Sequence, residues 1–291
     1  MIEIKRILCP TDLSDDSERT LRYAVALTRT YEAELFVCHR PATPNAREET
    51  VDRIKKLIDT ALSRTTESQS QAAAVDWEII ILEDENVGVG ITSAAAELGA
   101  DLILMRSRRR PLAATLLGST AERIAHRSPC PVLVIHADER EWMDESTGEI
   151  SLNRLLVALD FSSYSELALQ YGLALAQQYQ ADVHLLHVLP APVSDPEISW
   201  VGQETNAPYQ QAARRLQNAV PSEVHLWCKV KHAVQTGRVY KEVLGYADTN
   251  EIDLICMGAH GSDFTITGLL GSNVDRVLRQ AQCPVLIAHP R

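Results

Sequence analysis

The glycines and the serine of MGAHGSDFTITGLLGSNVDRV, residues 257–277, have the types and the spacing of a loop that binds an anion. Gly258 and Gly261 follow an apolar run, and glycine lets the backbone approach a ligand closely because it has no side chain. Gly271 and Ser272 stand where a helical pattern begins. Free backbone N–H groups, the helix dipole and the serine hydroxyl therefore predict an anion site at this helix start.

Asp160 and Val188 are predicted to lie at the same edge of the protein as this loop. Asp160 ends one strand-like apolar run, and Val188 ends the next one, after LLH. In open sheets of parallel strands, ligands bind outside the carboxyl ends of the strands, at the point where the strand order reverses. A carboxylate at a strand end is suited to bridge two ribose hydroxyls while phosphates lie on the helix start. The pattern therefore predicts a nucleotide site.

The chain contains two copies of one unit. RILCPTDLSDDSERTLRYAVALTRTYEAELFVCHR, residues 6–40, runs parallel to RLLVALDFSSYSELALQYGLALAQQYQADVHLLHV, residues 154–188. Farther along, CPVLVIH at 130–136 matches CPVLIAH at 283–289. The offset between the copies grows only from 148 to 153 over this length, which indicates a duplicated domain.

We place the first domain at residues 1–138, a linker at 139–150 and the second domain at 151–291. The piece EWMDESTGEI within the linker has four acidic and no basic residues, a charge of -4 out of the chain's -11. Such a charge run is typical of a solvated linker. Trp142 within it is interpreted as a packing anchor between the domains.

Strand-like apolar runs alternate with helical periodicity in each copy, which predicts beta-alpha-beta units and a parallel sheet covered on both faces. In the second copy we expect strands near 153–159, 182–188, 224–235, 253–257 and 284–288, and helices near 163–179, 205–219, 238–249 and 272–281. The first copy is predicted to follow the same order, with TTESQSQAAA at 65–74 as a loop or frayed helix end. LPAPVSDP at 189–196 is interpreted as a connecting loop near the mouth of the pocket, with a lid as the alternative.

The spacing G258-x2-G261-x9-G271-S272 resembles the motif of the universal stress proteins (the UspA family), in their tandem two-domain form. The resemblance covers nearly the whole chain. It implies a Rossmann-like α/β fold of the adenine nucleotide alpha hydrolase type, as two tandem five-stranded parallel-sheet sandwiches. For a copy that keeps the motif, it also implies bound ATP.

The resemblance assigns a role to each matching residue of the second copy. Asp160 would bind the ribose, and Val188 would line the adenine pocket. Gly258 and Gly261 would flank the ribose and phosphates. The phosphate tail would lie on Gly271, Ser272 and the backbone of Asn273. His260 is given no chemistry, because its position in the motif varies in character. Whether the phosphates recruit Mg or Mn stays open.

The first copy departs from this pattern. Asp12 and the helix start Gly118–Ser119 are retained, but Arg106 and Arg109 replace the two earlier glycines, and Arg40 replaces the valine. The bulky side chains of Arg106 and Arg109 are expected to fill the pocket, so one reading is a degenerate site. The other is an altered anion site, because the positive charge attracts a free anion. The run RSRRR is interpreted as a solvated face.

Composition narrows the class of protein. The chain of 291 residues has no apolar run near the roughly 20 residues that span a bilayer. Its beginning, MIEIKRILCPTD, lacks the features of a signal peptide, so we expect a cytoplasmic protein. A net charge of -11 argues against a broad basic face for nucleic acid. The six cysteines lie mostly in apolar runs without zinc-site spacing, and are expected to be reduced and buried.

Two classes of function compete. One is a nucleotide-binding stress or regulatory protein that responds through a conformational change or a protein partner still to be named. The other is an enzyme, a slow ATPase or an adenylyl-transferring relative. The sequence has no H-x-G-H, S-G-G-x-D-S or G-x-x-x-x-G-K-[ST] motif, so we favour binding without efficient turnover and assign no catalytic or metal-ligating residue. A module that binds no nucleotide is the third alternative.

Contacts within the chain are also predicted. The strands VLVI at 132–135 and VLIA at 285–288 are apolar edges that need cover, so the two copies are expected to pack as an intrachain pseudo-dimer. Whether whole chains form a homodimer stays open. His39 and His187 are interpreted as polar links within the sheet, and a metal shared by His184 and His187 is disfavoured, since the two would face opposite sides of a strand.

Overall fold

The structure, a computed structural model, describes residues 2–64, 75–107, 119–136, 142–143, 150–190, 206–261 and 270–290. The first copy contains β1 Arg6–Pro10, α1 Asp15–Tyr31, β2 Glu34–His39, α2 Arg47–Arg64, β3 Asp76–Ile81, α3 Val87–Leu98, β4 Leu102–Ser107, α4 Ser119–Arg127 and β5 Val132–His136. The second copy contains β6 Arg154–Ala158, α5 Ser163–Tyr179, β7 Asp182–Pro190, α6 Ala207–Asn218, β8 Val230–Gly237, α7 Val239–Thr249, β9 Leu254–Gly258, α8 Ser272–Gln280 and β10 Val285–Ala288. Short 3-10 helices lie at Pro44–Ala46 and Ser222–Leu226.

Strands from both copies form one continuous sheet within the described parts of the chain. Its order is β3-β2-β1-β4-β5-β10-β9-β6-β7-β8. Neighbouring strands within each copy are parallel. In each copy the chain builds three strands toward one side and then returns to place two on the other, so the order reverses between β1 and β4 and between β6 and β9. The predicted α/β fold of two five-stranded parallel sheets is confirmed.

Helices cover both faces of the sheet, because its central strands are apolar along their whole length. Leu155 and Val157 of β6 belong to one buried layer, and Leu156 belongs to the other. The first layer packs under α1, α2, α5 and α6, and the second under α3, α4, α7 and α8. Each buried layer runs through both copies, so the two cores are shared across the chain.

The two copies meet through their last strands. Val285 of β10 lies opposite Val134 of β5, and Ile287 lies opposite Val132, in an antiparallel pair. The predicted pairing of these two apolar edges is confirmed. It has a simple cause, because an unpaired apolar edge strand leaves backbone groups and side chains exposed to water.

Two of the three described residues in the predicted linker are buried rather than solvated. The side chain of Trp142 is 2% exposed, and its ring lies 5.6 Å from that of Tyr23. Met143 is also buried and forms an isolated bridge with Ile150. The interpretation of Trp142 as a packing anchor is confirmed, whereas solvation is wrong for these two positions, because apolar side chains of this size are more stable in contact with the core.

One predicted strand is too long at its beginning. Residues 222–226 form a 3-10 helix, and β8 begins only at Val230. Pro221 precedes this turn, and the buried residues Val224 and Cys228 are four apart, a spacing of helical rather than strand geometry. The backbone N–H of Cys228 donates to the carbonyl of Val224 at 2.9 Å. Leu226 between them is 86% exposed, so residues 224–228 do not belong to the predicted strand.

The connecting segments are only partly described. Leu189 and Pro190 continue β7, beyond the predicted strand end at Val188. The rest of the 189–196 segment and all of 65–74 lie outside the described residues. The six cysteines all lie in the described part of the chain, where they are buried thiols outside any disulfide, as expected. No helix in the described part of the chain is long and apolar enough to cross a membrane.

Candidate functional site

Two equivalent places in the fold are suited to a ligand, one in each copy. Each lies beyond the carboxyl ends of the strands where the order reverses, between β6 and β9 in the second copy and between β1 and β4 in the first. Side chains and helix starts from several elements converge there, because the two strands send the chain to opposite faces of the sheet. The predicted nucleotide residues belong to the place in the second copy.

Asp160 lies two residues after β6, in a tight turn that leads into α5. Its Oδ1 accepts hydrogen bonds from the backbone N–H and the hydroxyl of Ser162, at 3.0 and 2.6 Å. Phe161 between them has a positive φ of 64°, and Leu13 in the equivalent turn has a φ of 60°. A left-handed residue of this size costs conformational energy, so the turn is held by its surroundings. The result is a carboxylate with a fixed orientation at the strand end.

Gly261 lies beside this carboxylate. A Cβ atom built on Gly261 would be 2.9 Å from Oδ2 of Asp160, which is closer than real Cβ contacts allow. The backbone at Gly261 is exposed, and the absence of a side chain there lets it lie next to the carboxylate without displacing it. The structure thus brings together two of the predicted site residues, which are about a hundred positions apart in sequence.

Gly258 is a glycine for a different reason from the one its sequence suggests. A Cβ atom there would lie 2.6 Å from the backbone carbonyl carbon of Tyr164 and 2.8 Å from the backbone nitrogen of Ser165. Gly258 ends β9 and is buried against the first turn of α5. Glycine at this position therefore allows a strand end and a helix to pack closely, whatever else binds nearby.

Gly271, Ser272 and Asn273 form the beginning of α8, as predicted. Gly271 is the N-cap residue, and no side chain caps the helix there. A Cβ atom on Gly271 would have ordinary contacts, the nearest at 3.5 Å from the carbonyl oxygen of Ala259. The chain's own packing does not require glycine at this position. The backbone N–H groups of the first turn lack partners within the helix, which favours an anion.

Val188 lies in β7 and is half-buried against the second core layer. Its neighbour His187 donates from Nδ1 to the carbonyl of Leu159 at 2.6 Å, and its ring lies 4.7 Å from that of Phe161. His39 makes the equivalent bond to Thr11 at 2.8 Å. Both histidines link neighbouring strand ends, as interpreted from the sequence.

His184 lies on the other side of β7. Its Nδ1 is 3.0 Å from the hydroxyl of Tyr246 in α7, so the two histidines of this strand do not converge on a common point. Burial, and next the charge of Lys231, lower the pKa of His184 to about 4. The neutral imidazole is thus a structural member of the core.

Sequence reasoning missed Arg215. Its guanidinium carbon lies 3.8 Å from the centre of the Phe161 ring, so a cation covers the residue that follows Asp160. Arg215 is an exposed residue of α6, and no spacing in the sequence points from it to the turn after β6. The stacked cation adds positive charge near the mouth of the site.

The first copy contributes to the surroundings of the second copy's loop. His126, near the end of α4, accepts a hydrogen bond at Nδ1 from the backbone N–H of Leu270, at 3.0 Å. His260 lies at the other end of the loop, and its ring contacts Tyr164 at 4.8 Å. Burial, and next the nearby His126, lower the pKa of His260. Nothing in the periodicity of either copy predicts these contacts.

Charged residues also connect α4 and α8 across the boundary between the copies. Arg279 lies 2.8 Å from Asp275 and 3.4 Å from Glu122. The carboxylates of Asp275 and Glu122 and the imidazole of His126 offer ligand atoms within 4.8 Å of one another. Since the Arg279 guanidinium already supplies positive charge to both carboxylates, we interpret this group as an ion-pair network between the copies.

The equivalent place in the first copy is a cavity of about 450 Å³, which we call the first-copy cavity. It lies at the ends of β1, β2 and β4 and beside the beginning of α4, and is lined by residues that include Asp12, Ser17, Arg40, Met105, Arg106 and Ile124. The expectation that bulky side chains fill this pocket is wrong for Arg106, because its side chain lines the space and leaves it open, as that of Arg40 does. Arg109 and Gly118 lie outside the described residues.

Asp12 accepts three hydrogen bonds from described residues, whereas its counterpart Asp160 accepts two. Oδ1 of Asp12 accepts from the backbone N–H of Ser14 at 3.1 Å and from the hydroxyls of Ser14 and Ser17, each at 2.5 Å. In the second copy, the hydroxyl of the equivalent Ser165 instead donates to the carbonyl of Ser162 at 3.0 Å. The two carboxylates therefore have different surroundings in otherwise equivalent turns.

The fold and these two places define a tandem α/β protein with one candidate ligand site per copy. The family model for the universal stress protein family matches residues 3–136 and 151–289. The chain belongs to the universal stress protein family, with two domains of that family in one chain. The resemblance seen in the glycine motif is thereby confirmed.

Relatives of similar length support this assignment. A universal stress protein of Mycolicibacterium smegmatis is 26% identical over 307 residues, which cover 98% of this chain and 97% of the relative. A crystal structure of a universal stress protein from Archaeoglobus fulgidus covers 98% of each chain, with 22% identity and a TM-score of 0.68. A universal stress protein structure from Pseudomonas aeruginosa covers 99% of this chain and 94% of that one, with 16% identity and a TM-score of 0.69. These structures share the fold of both copies.

Proposed function

We propose that the second copy binds ATP and that the protein is a nucleotide-dependent regulatory module of the stress response. The observation that carries this proposal is the contact between Gly261 and Asp160. A Cβ atom built on the exposed Gly261 would lie 2.9 Å from Oδ2 of Asp160, a carboxylate that Ser162 holds in place. A ribose with two adjacent hydroxyls is a suitable partner for such a carboxylate.

The remaining residues fit the other parts of a nucleotide. The start of α8 at Gly271, Ser272 and Asn273 would hold phosphates on backbone N–H groups and the serine hydroxyl. Val188, half-buried near the end of β7, would contact the adenine. Gly258 would keep the end of β9 close to α5, so that the loop after it begins near the ribose.

Binding is proposed without rapid turnover. ATP would bring three phosphates to the helix start, and the residues named above would bind and orient them. The proposed output of binding is a conformational change or a change in the binding of a protein partner.

A different universal stress protein has been crystallised in complex with cAMP. That observation concerns the other protein. The proposal made here depends on the side chains and backbone of this chain alone, and its test uses the difference between the two copies.

The test compares two equivalent carboxylates in one protein. ATP is titrated into the nucleotide-stripped wild-type protein, Asp160→Ala and Asp12→Ala by calorimetry, with and without Mg. Loss of a charged acceptor for ribose hydroxyls is expected to weaken binding about 10- to 100-fold in Asp160→Ala. Asp12→Ala is expected to bind ATP as the wild type does. Equal effects of the two substitutions, or no binding by the wild type, would overturn the proposal.

A further inference from the structure

The first-copy cavity has a different chemical character from the proposed nucleotide site. Arg40 follows β2, where the second copy has Val188, and Arg106 lies in β4, where the second copy has Gly258. Both arginines line the cavity. Arginine remains charged at all physiological pH values and pairs well with carboxylate and phosphate oxygens. The whole chain has a net charge of -11, whereas two positively charged side chains lie together at this cavity.

The negative charge among the described lining residues comes from Asp12. Its Oδ1 is engaged by the hydroxyls of Ser14 and Ser17, each at 2.5 Å. The lining therefore has one carboxylate, held by its own turn, against two guanidinium groups. Thr120 and Ala121, in the first turn of α4, also line the cavity, so the positive end of a helix dipole adds to the attraction for an anion.

The other wall of the cavity is apolar. Cys38, Leu82, Ile91, Met105 and Ile124 line it, and all five are buried members of the second core layer. Burial raises the pKa of the Cys38 thiol, so this sulfur is a neutral wall atom rather than a nucleophile. An inorganic ion would leave this wall in contact with water. The wall instead favours a ligand that carries an apolar body.

We propose that the first-copy cavity binds a small organic anion, in which a carboxylate or phosphate monoester group is carried on an apolar body. Arg40 and Arg106 bind the anionic group, and the wall formed by Met105, Ile124 and their neighbours contacts the body. A volume of about 450 Å³ suits such a ligand, since pockets for small molecules measure roughly 300 to 1,000 Å³. The site is separate from the proposed nucleotide site, and the inference does not depend on that proposal.

The experiment uses the full chain and four probes: phenylbutyrate, phenyl phosphate, uncharged phenylbutanol and inorganic phosphate. Each is titrated by calorimetry into the nucleotide-stripped protein, and again after saturation with ATP. We expect at least one of the two organic anions to bind with a stoichiometry of one, with or without ATP. The tighter of the two identifies the preferred anionic group. Phenylbutanol and inorganic phosphate are each expected to bind about tenfold more weakly or not at all.

Variants assign the binding to the two arginines. Arg40→Met and Arg106→Met keep most of the side-chain volume and remove the charge, and each is expected to weaken the organic anion about tenfold or more. Arg40→Val, which copies the second copy's Val188, gives an independent test at the same position. Arg154→Met is the control, because Arg154 belongs to β6 of the second copy, does not line the first-copy cavity and pairs with Glu251 at 2.7 Å. Its affinity for the anion is expected to equal that of the wild type.

Several results would overturn the proposal: no saturable binding of either organic anion, equal binding of phenylbutanol or of inorganic phosphate, or equal losses in Arg40→Met and Arg154→Met. Asp160→Ala separates the two sites. It is expected to lose ATP affinity and keep the organic anion. Absence of ATP binding alone would contradict the proposed function and leave the anion site standing, whereas loss of the anion in Asp160→Ala would contradict the separate site.

Discussion

His126 of the first copy accepts a hydrogen bond at 3.0 Å from the backbone N–H of Leu270 in the second copy. Leu270 immediately precedes Gly271 and Ser272, the proposed phosphate-binding start of α8. The imidazole accepts at Nδ1, so this nitrogen carries no proton in the observed arrangement. A residue of the copy that lacks the glycine motif thus fixes the end of the loop in the copy that has it.

We predict that His126→Phe weakens ATP binding about three- to tenfold, because the ring is retained and the acceptor for Leu270 is lost. His126→Asn is the matched variant, since an amide oxygen can accept near the position of Nδ1. Calorimetric titration of both variants with ATP gives the result. Wild-type affinity in His126→Phe would show that the contact does not support the loop.

The two glycines at the ends of the loop are predicted to differ in their effect on stability. Gly258→Ala is expected to lower the free energy of unfolding by about 1–3 kcal/mol, since the new Cβ would meet the backbone of Tyr164 at 2.6 Å. Gly271→Ala is expected to cost less than about 1 kcal/mol, because its new Cβ has ordinary contacts and only the N-cap preference changes. Urea unfolding measures both. Equal costs would contradict the steric account of Gly258.

Much of the fold could be predicted from the sequence, because the spacing of apolar residues indicates which residues are buried. The apolar runs that became β6 and β9, and the helix beginning at Ser272, were predicted correctly for this reason. The strand predicted from 224 was wrong at its start, since Val224 and Cys228 are buried with a spacing of four and a 3-10 turn precedes β8. A short apolar run does not distinguish these two geometries.

The site was less accessible to sequence reasoning than the fold. The glycine spacing identified the loop. The reason that position 258 requires glycine is its close contact with Tyr164, which only the packed structure reveals. The direction of a long side chain is likewise set by its neighbours. Arg106 was therefore expected to fill a cavity that it instead lines.

The buried histidines predict a loss of stability in acid. Burial, and next Lys231, lower the pKa of His184 from 6.5 to about 4, and burial lowers that of His289 to about 4 as well. Below pH 6.5 these two histidines bind protons in the unfolded chain but stay neutral in the folded chain. The free energy of unfolding therefore falls between about pH 6.5 and pH 4. Stability from these groups is complete above this window.

The check is a comparison of wild type with His184→Gln and His289→Gln, by urea unfolding above and below this window. Each variant removes one titrating group, and is expected to lose less stability on acidification than the wild type does. The double variant is expected to lose the least. An unchanged pH dependence in the double variant would mean that other groups, rather than these imidazoles, cause the acid sensitivity.

The central claim is that one ATP binds per chain, in the second copy. Its most direct test is calorimetric titration of the nucleotide-stripped protein with ATP, beside Gly261→Arg, which places an arginine where the first copy has Arg109. Gly245→Arg is the control, because Gly245 is an exposed residue of α7 with open space around its Cβ position. We predict one site in the wild type, no tight binding in Gly261→Arg and unchanged binding in Gly245→Arg. Two equivalent sites, or a single site that survives Gly261→Arg, would contradict the account.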